Sequence, residues 1–136
     1  MSALRTISVA LAATLAAAAP GGALPLSASE RALAFAACAG RYSAEVEHGW
    51  LLRPGEDPLT EARRDAFLAL LDAVEPDAIA DGVPPHLLLA TRIEEKAAQT
   101  ALLERAAFHI DPLAADTALA AAERRIATCG AWLLGV

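Results

Sequence analysis

Two cysteines, Cys38 and Cys129, stand near opposite ends of this 136-residue chain, each inside a run of small residues. The runs are Ala36-Ala37-Cys38-Ala39-Gly40 and Ala127-Thr128-Cys129-Gly130-Ala131. A disulfide wants Cα atoms about 5.5 Å apart, whereas packed helix axes usually stand roughly 8 to 10 Å apart. A bridge between two helices therefore needs backbones that approach closely, and small flanks on both sides allow that. Such a bridge would enclose about ninety residues and, by loop-closure entropy, contribute roughly 4 to 5 kcal/mol.

The rest of the chain reads as helix. Hydrophobic residues make up 56% of it and aromatic residues only 4%; nearly half of the apolar count is alanine, a strong helix former that adds little core volume. Ser27 followed by Glu30 is a capping box, opening a helical run to about Leu52, where Pro54-Gly55 ends it. Thr60 is the expected N-cap of a second helix with Phe67, Leu70, Leu71 and Val74 on one face, stopped at Pro76, and residues 77–83 are expected as a loop. Pro84-Pro85 starts a third helix whose expected inward stripe is Leu89, Ile93, Ala97, Thr100 and Leu103, running to about Phe108. Asp111-Pro112 reads as N-cap and first residue of a fourth, with the stripe Leu119, Ala122, Ile126, Cys129 and Leu133.

In an up-down-up-down bundle the first and fourth helices run antiparallel, so the start of one lies beside the end of the other. Cys38 lies early in the first helix and Cys129 late in the fourth. The expectation is an all-α, antiparallel up-down bundle of about four helices whose first and last members are joined by Cys38–Cys129. Trp132 is expected at the same end as the cysteines.

The N-terminus has the form of a secretory signal. Met1 to Thr6 carries one positive charge, Arg5, and Ile7 to Ala19 is an uncharged run rich in Ala, Leu and Val. That run falls short of the ~20 apolar residues needed to span a bilayer, and Pro20-Gly21-Gly22 follows it. Small residues precede a cut at Gly21 with Ala23 and at Ser27 with Ser29; the second divides the chain into a signal peptide, 1–29, and a helical-bundle domain, 30–136. Phe35-Ala36-Ala37-Cys38 looks superficially like a lipoprotein box, but Glu30 and Arg31 interrupt the apolar stretch that should lead into it. The reading is periplasmic or secreted, with no transmembrane anchor after cleavage, and an oxidising compartment favours the disulfide. Beyond residue 29 there remain ten basic residues against seventeen acidic ones, a balance that disfavours nucleic acid as partner.

Signatures of chemistry are sparse. Glu45 and His48 have the Glu-x-x-His spacing that places a carboxylate and an imidazole on one helix face for metal binding, but a di-iron bundle needs that motif twice. His86 and His109 lie near opposite ends of the third helix, too far apart to join one site with His48. There is no Cys-x-x-Cys-His for covalent haem. Ser43 lies close to Glu45 and His48 in sequence, yet a single helix cannot fold a triad onto itself. No cofactor, metal ligand or catalytic residue is assigned.

Two surfaces are candidates for contact with another protein: Tyr42, Val46 and Trp50 at four-residue intervals on the first helix, whose alternative is plain core, and a charged run on the third that includes Arg92 and Lys96, whose alternative is a solvated face. The segment Cys38-Ala39-Gly40-Arg41-Tyr42-Ser43-Ala44-Glu45-Val46-Glu47-His48-Gly49-Trp50-Leu51 resembles small secreted hypothetical proteins of alphaproteobacteria that carry two cysteines. That group has no assigned activity, so the resemblance implies a compartment and a disulfide and carries over no site. The function expected is a non-catalytic periplasmic interaction or accessory protein with a protein partner; the alternative is a metal- or cofactor-binding protein or enzyme using Glu45 and His48.

Overall fold

The computed structural model describes residues 27–52 and 57–133. They form four helices: α1 (Ala28–Leu52), α2 (Pro58–Ala80), α3 (Pro85–Phe108) and α4 (Pro112–Leu133). All but three residues of the expected signal, and the Pro54-Gly55 stop, lie outside the described residues.

Local chemistry sets the helix ends. The Ser27 backbone N–H and hydroxyl both donate to Glu30 Oε2, at 2.8 and 2.9 Å, and the Glu30 N–H donates back to Ser27 Oγ. This is the capping box, and the bonds from the Ser27 N–H and hydroxyl hold the Glu30 carboxyl below its usual pKa. At α2 the cap is Asp57, not Thr60: the Thr60 N–H and hydroxyl both donate to the Asp57 carboxylate, which leaves Pro58 at the first helical position. Asp111 caps α4 as expected, accepting from the Leu113 N–H at 3.0 Å.

Pro76 does not stop α2. A proline in a helix forfeits one backbone bond, here to the carbonyl of Asp72, and both residues lie on the exposed side where water can replace it. Residues expected as loop are therefore helical through Ala80, and the helix ends on Gly82. There the Val83 N–H donates to the Ala78 carbonyl and the Gly82 N–H to that of Ile79, the paired bonds of a Schellman motif. Gly82 has φ +97°, a conformation that other residues rarely adopt.

The chain direction alternates. Phe35 meets Phe67 while Trp50 meets Glu61, so α2 runs against α1. Arg41 meets Glu95 and Glu45 meets Gln99, so α3 runs with α1, and the disulfide returns α4 to the start of α1. The Cys38–Cys129 bridge has its Cα atoms 5.6 Å apart and is buried.

The bundle is not square. α1 packs extensively along both α2 and α3, whereas α4 leans mainly on α3 and meets α1 over a shorter contact. Gly40 explains the tight α1–α3 packing, since a Cβ there would collide with the Arg92 carbonyl and come within 3.1 Å of Lys96 N. Its small size serves this crossing as well as the disulfide beside it.

The main core lies at the disulfide end. Tyr42 stacks on Phe67 at a ring separation of 5.7 Å, Phe35 sits 6.2 Å from Phe67, and Trp132 meets Phe35 edge-on at 5.9 Å. Leu71, Leu88 and the cysteines complete this cluster. A second, thinner cluster holds Ala44, Leu103 and Ala122.

Candidate functional site

The helical phase of α3 differs from the apolar stripe expected of it. Of that stripe Leu103 is buried as expected, but Leu89 and Ile93 face outward, and Leu88 and Gln99 are buried in their place. The turn of phase brings polar side chains into the bundle, and their partners come from α1 and α4. Glu95 Oε2 accepts from Arg41 Nε and from Arg125 Nη2, each at 2.7 Å. Arg125 Nε donates to Gln99 Oε1 at 2.9 Å, and Gln99 Nε2 donates to Glu45 Oε1 at 2.7 Å and to the Ala122 carbonyl at 3.2 Å. Gln99 is fully buried. Arg41 Nη1 reaches the Arg125 carbonyl and approaches Cys129 Sγ at 3.7 Å.

This network contains two guanidinium groups and two carboxylates, so its formal charge balances. Among the described residues no buried side-chain nitrogen or oxygen lacks a partner, and a polar cluster satisfied in this way fixes one arrangement of helices. Its members bond to one another across three helices, so the cluster registers α3 and α4 on α1.

The network also decides the fate of several expected site residues. Glu45 is drawn toward Gln99. His48, half-buried, lines an open cleft of about 340 Å³ with Glu45, Leu103, Leu119 and Glu123. Among the described residues no three His, Cys, Asp or Glu side chains gather as a metal centre. His86 and His109 are exposed near the two ends of α3. The Ser43 hydroxyl donates to the Ala39 carbonyl of its own helix at 2.7 Å.

The expected contact stripe on α1 divides. Tyr42 and Val46 are buried, because α1 is flanked on several sides and these two positions face its neighbours; they are core, not surface. Trp50 stays 56% exposed, with its Nε1 donating to Glu61 at 3.1 Å. On α3, Arg92 is half-buried against the α1 crossing, and Lys96 pairs with Glu47 at 2.6 Å. The charged run is thus partly consumed in holding α3 to α1.

A different surface emerges from the topology. The alternation of direction brings the end of α1, the start of α2, the end of α3 and the start of α4 to one end of the bundle, opposite the disulfide. The large apolar side chains there are exposed: Trp50, Leu51 and Leu52 on α1, Leu59 on α2, Phe108 at the end of α3, Ile110 just after it, and Leu113 on α4. Leu51 is 81% exposed and Ile110 98%. Singly exposed apolar residues are ordinary; here four segments bring seven of them to the same end of the bundle. Sequence reading missed it because four separate segments contribute.

The fold and this surface define a disulfide-closed bundle of four helices with an internally neutralised polar clasp and one apolar end. No family model, no curated protein and no solved structure matches the chain.

Proposed function

We propose that this chain is an exported, non-catalytic accessory protein of the periplasm that acts by binding another protein through the apolar end of its bundle. The observation that carries the reading is the set of exposed large side chains opposite the disulfide, in a bundle whose buried side-chain polar atoms, among the described residues, are already partnered. The compartment is supported by the signal-like N-terminus and by a buried disulfide, which suits an oxidising environment. No helix among the described residues is long and apolar enough to cross a membrane.

The capping box bears on the processed form. A cut after Ser29 would remove Ser27 and its bonds to Glu30, whereas a cut after Ala23 would keep them. Intact mass of the exported protein, with and without reductant, is expected to give a chain starting at Leu24 that lacks two hydrogens until reduced. Two thiols without reductant, or retention of the full leader, would count against the compartment.

The interaction itself is tested by placing a photo-crosslinking amino acid at Ile110 in the exporting cell, with Asp72 on the exposed face of α2 as control. A defined adduct at Ile110 and none at Asp72 is expected. Absence of an Ile110 adduct, or stoichiometric metal in the purified protein that disappears on His48→Ala, would overturn the reading.

A further inference from the structure

The charge around the apolar end narrows what can sit on it, an argument that rests on the contact reading above. Within four residues, about one helical turn, of Leu59, Phe108, Ile110 and Leu113 the described chain places Glu61, Glu104, Asp111 and Asp116 against two guanidiniums, Arg63 and Arg105, the α2 cap Asp57 being left out of the count. Glu47, below Trp50, is neutralised by Lys96. The apolar end therefore has a net negative rim on a molecule whose formal charge is already −6.

Each class of occupant meets that rim differently. A second copy docking through the same end would bring two acidic rims together, and like charges across an interface select against such a pairing. An anionic lipid surface would be repelled for the same reason. A protein segment whose apolar side chains are flanked by lysine or arginine would bury its apolar face on Leu51, Phe108 and Ile110 while its cations meet the carboxylates. We infer that the apolar end receives a cationic, amphipathic segment of another protein.

The test uses the purified, oxidised protein and two synthetic helical peptides with the same leucine stripe, one flanked by lysines and the other by glutamates. Fluorescence anisotropy of labelled peptide is expected to show the lysine peptide binding at least about tenfold more tightly than the glutamate peptide, and weakening as salt is raised. Binding should be lost in a Leu51→Ser, Ile110→Ser variant whose circular dichroism and melting are unchanged, and should weaken several-fold with Glu61→Gln and Asp116→Asn together. Equal binding of the two peptides, or undiminished binding to the Leu51→Ser, Ile110→Ser variant, would overturn the inference. So would an Ile110-dependent dimer in sedimentation, or Ile110-dependent binding to phosphatidylglycerol vesicles. If the peptides fail to discriminate while the Ile110 photo-adduct in cells persists, the cationic partner is wrong and the contact surface stands; if both fail, the contact surface falls too.

Discussion

The two ends of this bundle use their apolar residues in opposite ways. At the disulfide end Phe35, Tyr42, Phe67 and Trp132 pack on one another around Cys38–Cys129. At the other end the buried cluster comprises Ala44, Leu103 and Ala122, while Trp50, Leu51, Phe108 and Ile110 face outward. The disulfide end folds its aromatic rings in, although Ile79, Leu87 and Leu89 stay exposed there, whereas the far end leaves its largest side chains outside. Stability is concentrated where the chain is covalently closed, leaving the far end free to present apolar surface without depending on it.

The comparison is most easily broken at the disulfide. Cys38→Ser with Cys129→Ser is expected to cost about 4 to 5 kcal/mol, the loop-closure figure for a bridge of this span, as read by denaturant unfolding. A loss near zero would mean that the packed aromatics hold that end unaided. Phe67→Ala, in an oxidised background, should cost about 3 to 5 kcal/mol, because its fully buried ring touches both Phe35 and Tyr42. Leu103→Ala, in the thin cluster, should fall near the low end of about 2 to 5 kcal/mol. Equal losses at the two positions would erase the contrast between the clusters.

Gly40 lies between the two ends, where α1 and α3 meet backbone to backbone. The colliding partner is the Arg92 carbonyl rather than a flexible side chain, so Gly40→Ala must push the helices apart. A loss of about 1 to 3 kcal/mol is expected, despite the better helix propensity of alanine. If Gly40→Ala instead stabilises the protein, the close approach is not what seats α3.

Much of this fold was legible from residue chemistry. The capping box at Ser27, the Asp111-Pro112 start and the small residues around both cysteines act over a few neighbouring positions, and the helices and bridge follow from them. What escaped were features made by distant segments. A search for apolar periodicity sets α3 on Leu89 and Ile93, because it takes burial to require apolar atoms. Glu95 and Gln99 turn inward since Arg41, Glu45 and Arg125 supply partners from 26 to 54 residues away. The stripe of Tyr42 and Val46 could be read as groove or as core, and it is core because α1 is more thoroughly surrounded than an outer helix of a square bundle would be. The helical extension past Pro76 had a local signal, Gly82 placed to cap it, which the proline obscured. The apolar end had none: each leucine or phenylalanine there is an ordinary helix-terminal residue until the topology gathers them.

The smallest expected effect sharpens the contrast furthest. Ile110 is 98% exposed in the short connection between α3 and α4, so folding removes almost none of its surface from water and almost no stability rests on it. Ile110→Ser should therefore shift the unfolding free energy by no more than about 0.5 kcal/mol, while the same polar replacement at Leu103 would bury a hydroxyl and open a cavity. The measurement is a pair of denaturant curves with unchanged slopes, so that compactness is the same in both proteins. If Ile110→Ser leaves folding intact and removes binding, that end contributes contact and little stability. If instead it costs as much as a core substitution, Ile110 packs against the bundle in solution, the apolar end belongs to the core, and the division of labour between the two ends fails.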